Sequence, residues 1–384
     1  MIEIRDKWDC CGCNACVQKC PKQCIEQFED AEGFIYPRVD KARCIGCGLC
    51  EKACPVIDQN PESKPLQVLA GWNGNEEIRM QSSSGGVFTL LAEQIIGRGG
   101  VVFGARFNEN WEVVHGYTES MDGLAAFRGS KYVQSRIGEA FRQAGAFLQQ
   151  GREVLFTGTP CQIAGLHRFL GKEYGNLFTI DIVCHGVPSP GVWKKYVERL
   201  LQIYLRRGRL DGIYFRDKCT GWKEYSFSAH LSSPEKTALY TEKFYRNMYM
   251  RGFLANLYLR PSCYRCPSKS GKSGADITLA DFWGIERIIP RLDDDKGTGL
   301  VLVNTAKGKC LYDKLPIISQ EVKYEQALKG NHVIETSVPV PPQREIFFDS
   351  FGKEDFFRLT DRLTRVPLRT RLRRAAGRLI KLLR

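Results

Sequence analysis

Two cysteine runs of one spacing lie near the start of the chain, and they restrict its fold more than any other feature. The first is Cys10-x2-Cys13-x2-Cys16-x3-Cys20-Pro21, and the second is Cys44-x2-Cys47-x2-Cys50-x3-Cys54-Pro55. Three thiolates at i, i+3 and i+6, with a fourth four residues on and a proline after it, form the ligand run of paired [4Fe–4S] clusters. In such pairs the fourth cysteine of each run crosses to the other cluster. That assigns Cys10, Cys13, Cys16 and Cys54 to one cluster, and Cys44, Cys47, Cys50 and Cys20 to the second. A zinc site would pair two C-x2-C knuckles instead. The C-x3-C-x2-C triplet of a radical-SAM cluster does not occur. Gly12, Gly46 and Gly48 stand between the ligands, where the missing Cβ lets backbone N–H groups turn toward sulfide. Cys11 and Cys24 fall outside the pattern and read as small buried side chains.

Such a module moves single electrons, so the remaining residues should hold something that uses them. The runs form an internal repeat from Cys10 to Cys44, and residues 1–62 read as an α+β ferredoxin-like module. Pro61 and Pro65, with Glu62, Ser63 and Lys64, read as a short linker. Residues 67–345 read as a larger α/β body. Strands are expected over 101–107, 112–117, 153–157 and 177–183, and helices over 87–96, 137–150, 160–170 and 190–205. This alternation implies βαβ units and a largely parallel or mixed sheet. Beyond Asp211 the pattern turns β-rich, with strands expected over 276–280 and 300–304.

Residues 346–384 read as a basic tail. From Arg362 onward there are nine basic residues and no acid, against a net charge of +13 for the whole chain. Leu372, Ala375, Ala376, Leu379, Ile380 and Leu383 share one face of a helix, with Arg373, Arg374, Arg378 and Lys381 on the other. A basic amphipathic helix over 362–384 suits an anionic membrane surface or an acidic protein partner. It equally suits a helix docked on its own domain with a solvated polar face. No recognition motif accompanies the charge, which argues against specific nucleic-acid binding. There is no h-region of a signal peptide and no apolar run of the roughly 18–20 residues that span a bilayer. Sixteen cysteines, many in cluster spacing, need a reducing compartment. The expectation is a cytoplasmic protein, peripheral to the inner face of the membrane if the tail binds lipid.

Three turns in the body stand at strand ends or helix starts, where α/β proteins hold ligands. Ser82-Ser83-Ser84-Gly85-Gly86 offers hydroxyls and backbone N–H groups for a phosphate or pyrophosphate; an ordinary helix N-cap with a glycine turn reads equally from the residues. Thr157-Gly158-Thr159-Pro160-Cys161-Gln162 and Val183-Cys184-His185-Gly186-Val187-Pro188 each put a cysteine just past a strand. With Cys263-x2-Cys266 these make four thiolates, enough for a third [4Fe–4S] cluster. A zinc knuckle at Cys263 and Cys266, with buried thiols at Cys161 and Cys184, is the alternative. His185 is either a proton donor beside a redox group or a structural hydrogen-bonder. Cys219 and Cys310 show no partner and read as structural. No G-x-G-x-x-G follows a strand, and Gly271-Lys272-Ser273 lacks the first glycine of a P-loop.

The ordered set of body motifs resembles the coenzyme F420 hydrogenase/dehydrogenase beta-subunit family. It comprises Ser83-Ser84-Gly85-Gly86, Gly129-Ser130-Lys131-Tyr132, Gly158-Thr159-Pro160-Cys161-Gln162, Cys184-His185-Gly186, Phe215-Arg216-Asp217-Lys218 before Gly221-Trp222, Cys263-x2-Cys266, and Ala275-Asp276-Ile277 before Asp281-Phe282-Trp283-Gly284. The resemblance implies an iron–sulfur flavoprotein. Family members carry FAD and clusters, and they pass electrons between one-electron clusters and a two-electron hydride acceptor. Archaeal members reduce F420, and a plant relative reduces a chlorophyll derivative. It further implies FAD contacts at Ser82–Gly86 and Lys131 and F420 or a similar compound as substrate; Lys131 and His185 are the candidate catalytic residues, and Arg216 is a further candidate flavin contact. A lysine or arginine beside the flavin would stabilise its anionic reduced ring, which Lys131 and Arg216 can supply. The implied partner is ferredoxin or a dehydrogenase or hydrogenase subunit. The competing readings are an electron-transfer subunit with no substrate of its own and an accessory protein of polysaccharide assembly.

Overall fold

The computed structural model describes residues 1–204, 208–234 and 236–365. Each cysteine run starts a short helix from inside itself: α1 (Ala15–Lys19) and α2 (Leu49–Lys52), which pack on one another. Both start from a left-handed residue, Asn14 (φ 60°) and Gly48 (φ 70°), so the chain can double back around the thiols. Between them β1 (Ile25–Glu29) and β2 (Ile35–Val39) pair antiparallel.

The body follows as β3 (Gln67–Asn73), α3 (Glu76–Gln81), α4 (Val87–Gly97), β4 (Val101–Phe107), β5 (Val113–Thr118), α5 (Ala140–Gln149), β6 (Val154–Gly158), α6 (Pro160–Leu170), β7 (Leu177–Ile182) and α7 (Pro190–Tyr204). Then come β8 (Arg209–Asp217), β9 (Ser226–Ser232), β10 (Thr237–Lys243), α8 (Met248–Leu254), β11 (Ile277–Asp281), β12 (Gly299–Val303), α9 (Ala306–Tyr312), β13 (Ile317–Glu321), α10 (Tyr324–Leu328), α11 (Gln343–Ser350) and α12 (Phe356–Thr364).

Eight strands make one mixed sheet in the order β13-β3-β12-β11-β7-β6-β4-β5. The neighbours β4, β6, β7 and β11 run parallel, and the remaining pairings are antiparallel. The central strands are apolar on both faces because helices cover both. Val101, Phe103, Val154 and Phe156 pack with Phe141 and Ile163 on the α5–α6 side. Val102, Leu155, Ile180 and Val301 pack with Leu91 and Ile95 of α4 on the other. A separate antiparallel sheet, β10-β9-β8, closes an aromatic core with Trp193, Tyr196, Tyr249 and Tyr258.

The expected mixed α/β architecture is therefore present, with local differences. The helix expected from Ile137 starts at Ala140, because Gly138 holds φ 53° and interrupts the turn before it. The linker is tied down: Ser63 N–H donates to Ser270 O at 3.0 Å and Asn60 Nδ2 to Lys272 O at 3.1 Å. The boundary at residue 346 falls inside α11, and Phe347, Phe356 and Leu359 are buried in the aromatic core. Residues 346–365 thus belong to the body. Arg362 and Arg365 pair with Glu354 and Asp361. The amphipathic helix expected over 372–383 lies outside the described residues.

Polar contacts to backbone carbonyls and one ion pair help seat the N-terminal module on the body. Arg142 Nη2 donates to Gln18 O at 2.8 Å, Lys19 Nζ to Phe169 O at 2.6 Å, and Arg344 Nη1 to Glu32 Oε1 at 3.0 Å. Gly33 and Gly191 touch backbone to backbone; a Cβ on Gly33 would stand 2.5 Å from Gly191 Cα.

Candidate functional site

The turns after β6 and β7 and the loop after β11 lie on one edge of the sheet, because these three strands are parallel neighbours. This edge is the carboxyl end, where open α/β sheets hold ligands. Cys161 opens α6, whose cap is a reciprocal pair: Thr159 and Gln162 bond each other, with Pro160 at the first helical position. Behind it stands a buried network that the sequence reading missed. His115 bonds Thr157 O through Nε2 and the Ser135 hydroxyl through Nδ1, both at 3.0 Å, and Gln162 Nε2 donates to Ser135 Oγ at 2.8 Å. Burial holds His115 down at about 4, so it is neutral at pH 7.

Cys184 follows β7, Cys263 lies inside a short helical turn at 261–265, and Cys266 caps the end of that turn. Val187 N–H points at Cys263 Sγ from 3.4 Å, and Lys269 Nζ donates to Cys184 O at 2.6 Å. Burial pushes the Cys184 thiol up to about 12, and Cys161 and Cys266 add to the rise. Burial likewise raises Cys266 to about 11, with Cys161 contributing, and raises Cys263, with Cys184, Cys266 and Cys161 contributing. Four thiols from three distant stretches therefore stand within electrostatic reach of one another. Cys161 also touches Cys11, whose thiol raises it first, ahead of burial. Cys11 thus sits between this set and the N-terminal module.

In that module burial is the main cause that raises Cys16, and the neighbouring Cys10, Cys54 and Cys50 add to it. Cys16 and Cys54 influence Cys13 in the same way, after its Cys11 contact and its burial. Cys20, Cys44, Cys47 and Cys50 line an apolar recess with Cys24 in its wall. Cys47 is exposed, whereas Cys10 is half-buried and Cys13 and Cys16 are buried. Among the described residues no His, Cys, Asp and Glu side chains converge tightly enough to hold a single metal ion. The recess and the all-thiol donor sets suit soft, sulfide-containing clusters.

The serine turn corrects one expectation. Ser82 Oγ donates to Ile78 O at 2.7 Å and Ser84 Oγ to Thr298 O at 3.0 Å, so two of the three hydroxyls are used by the fold. Ser83 Oγ accepts from Ser130 N–H at 2.6 Å, which sets Lys131 beside the turn. Gly85 is required by packing: a Cβ there would stand 2.5 Å from Gly71 O and 2.7 Å from Gly299 N. Buried Lys218, another residue the sequence reading left aside, donates to Arg79 O, Ser84 O and Lys296 O at 2.7–2.8 Å and holds the turn from beneath. Burial lowers both Lys218 and Lys131 to about 7.

Lys131 Nζ meets the carbonyls of Arg128 and Gly129 at 2.9 and 3.2 Å, and among the described residues no carboxylate pairs with it. Arg216 differs: it lies in a bidentate pair with Asp281, at 2.8 and 3.2 Å, under Trp283 and Tyr225. Its charge is already compensated. Trp222 stacks on Trp283 at 4.9 Å and donates to the same Asp281. His185 is engaged as well, Nε2 lying 2.6 Å from Asn256 Oδ1, and burial lowers its pKa. Its proton is held on Nε2 by that bond, leaving Nδ1 as the acceptor. From His185 a wall of contacts runs through Phe253 and Tyr132 to Arg216 and reaches Lys131.

Comparison with known proteins matches two stretches of the chain. Residues 9–57 match the 4Fe-4S dicluster domain. Residues 151–327 match the family described as the C terminus of the coenzyme F420 hydrogenase/dehydrogenase beta subunit. Nothing among the curated proteins matches. Solved structures that resemble the chain include one from the xenon-derivatised F420-reducing [NiFe] hydrogenase complex of Methanosarcina barkeri. It is 17% identical with a TM-score of 0.46, over 72% of this chain and 91% of that one. With a dicluster domain placed before that beta-subunit region, the chain is an iron–sulfur oxidoreductase whose residues 151–327 match the C-terminal region of the F420 hydrogenase/dehydrogenase beta subunit.

Proposed function

We propose that the chain carries electrons inward from a surface cluster to a flavin and exchanges hydride there with an F420-like or other organic acceptor. Three [4Fe–4S] clusters would be held by Cys44, Cys47, Cys50 and Cys20; by Cys10, Cys13, Cys16 and Cys54; and by Cys161, Cys184, Cys263 and Cys266. When bound, the clusters supply single electrons and FAD supplies the conversion of two such electrons into hydride. The protein's part is to hold these groups in order and to keep water and charge where they are needed.

The observation that carries this reading is that four thiols from three stretches stand within electrostatic reach of one another beside Cys11, with Val187 N–H of the Cys184 turn 3.4 Å from Cys263 Sγ. Exposed Cys47 marks the outer port, where a redox partner such as ferredoxin or a dehydrogenase or hydrogenase subunit would dock. Ser83 and the α4 N-terminus would receive the flavin pyrophosphate. Lys131, which pairs with no carboxylate among the described residues, would face the anionic reduced ring, and that ring would hold its proton in place. Arg216, spent on Asp281, would position Tyr132 and Trp283 against the ring rather than meet its charge. His185 Nδ1 would be the open acceptor for a transferred proton, on a ring that burial makes less basic than an ordinary histidine.

The test is anoxic purification with iron, sulfide and flavin quantitation. The expected result is three clusters and one FAD per chain. Cys184→Ala and Cys263→Ala should each lose one cluster's share of iron. They should keep flavin that dithionite bleaches but reduced ferredoxin does not. Full iron with no flavin in the wild type overturns the reading.

A further inference from the structure

Arg260 is a guanidinium with no exposed surface, and among the described residues no carboxylate pairs with it. Burying such a charge is costly unless an anion answers it. Its polar contacts identify where that anion must be. Nε donates to Cys10 O at 2.6 Å, Nη1 to Gln134 Oε1 at 3.0 Å, and Nη2 to Ile35 O at 3.1 Å and to Cys10 Sγ at 3.4 Å. The plane lies 4.2 Å from the Tyr36 ring centre. Arg260 comes from the body, three residues before Cys263, yet it reaches into the N-terminal module. Cys11 and Cys263 also lie within its electrostatic reach, and so does Cys161. Gly12 makes room for it: a Cβ there would stand 2.8 Å from Nη1. The opposite end of the module differs. The recess of Cys20, Cys44, Cys47 and Cys50 has no buried cation in its lining: Lys22 is exposed, and the exposed Met1 ammonium, which acts on Cys50 and Cys44, is paired with Glu51 at 3.3 Å.

We infer that Arg260 is the counter-ion of the Cys10–Cys13–Cys16–Cys54 cluster, shared with the neighbouring Cys161–Cys184–Cys263–Cys266 set, and that it raises the reduction potential of the inner cluster above that of the outer one. A reduced cluster carries one more negative charge than an oxidised one, and a fixed buried cation favours the more negative form. An electron arriving at exposed Cys47 would then run downhill to the inner cluster, toward the body. Arg260 is a positioning and tuning residue, since it touches a ligand and not a substrate. The inference rests on the two-cluster reading of the module and not on the flavin.

The experiment is a dithionite-poised redox titration, followed by EPR, of the anoxically purified full chain, wild type against R260Q and R260K. Cys47→Ala identifies the outer cluster's signal by its absence. In the wild type the inner cluster should be reduced first. In R260Q its reduced-to-oxidised ratio at fixed potential should fall about tenfold, a downward shift of about 59 mV for one electron, while the outer cluster stays put. R260K keeps the charge but not the fork, and should lie between the two. Should R260Q lose the inner cluster's iron while R260K keeps it, the counter-ion role is equally supported. Unmoved potentials in R260Q, or R260K as impaired as R260Q, overturn it and leave a purely structural staple. A wild type that binds no iron overturns the cluster reading itself, and this inference with it.

Discussion

Asp281 shows how much of the site depends on single charges. It is the only carboxylate bonded to Arg216 among the described residues, and the Arg216 side chain is 3% exposed. Asp281→Asn leaves a buried cation unanswered and should cost about 3–5 kcal/mol, read by urea unfolding of the holoprotein. Removing both partners together, as Arg216→Met with Asp281→Asn, should cost less than Asp281→Asn alone. Gly85 illustrates the steric counterpart. Its neighbours are backbone atoms of Gly71 and Gly299, which cannot rotate away. Gly85→Ala should destabilise by about 1–3 kcal/mol and push the serine turn away from Ser130. Neither cost is visible in the sequence, where Asp281 is one acid among many and Gly85 reads as a turn residue.

Among the elements, the turn from β6 into α6 bears most on function. Its proline was legible as a helix start; the Thr159–Gln162 capping pair that stands with it was not. His115 was not legible, because it lies on β5, forty-odd residues earlier. Its pKa is lowered, so the unfolded chain binds a proton that the native protein refuses. Stability is therefore full above pH 6.5 and is lost as the pH falls from 6.5 toward 4. Between pH 7 and pH 5 the loss should be about 2 kcal/mol. His115→Gln should flatten that dependence in urea titrations at the two pH values. An equally steep loss in the variant would remove His115 from the account. Strands β3 and β13 show the other limit. β3 opens the body just after the proline-bearing linker, and no strand is expected from the sequence there, where Ala70 and Gly71 supply no strand pattern. Gly71 is there because the backbone of β13 and of the serine turn approach it on either side.

At the scale of the whole molecule, the module is seated by Cys11, Cys13, Ala15 and Ala53 packing with Ile163 and Leu166 of the body, and by polar and glycine contacts around that apolar patch. The Arg344–Glu32 pair joins α11 to the loop between β1 and β2, both side chains being largely buried. Arg344→Met should weaken the seating by about 3 kcal/mol. Hydrogen exchange over residues 30–39 should accelerate while the central strands β6 and β7 stay protected.

The amino-acid order by itself determined the two cluster runs, because their ligands are local and their spacing sets the geometry. It also determined the alternation of strands and helices through the central sheet, where burial on both faces imposes continuous apolar runs. Only the tertiary structure decided which distant cysteines meet and which serines are already bonded. It alone decided that Arg216 has its anion while Arg260 and Lys131 pair with no carboxylate among the described residues. Those outcomes depend on which loops the parallel strands carry to one edge, and a charge's partner there is fixed by distance in space rather than along the chain.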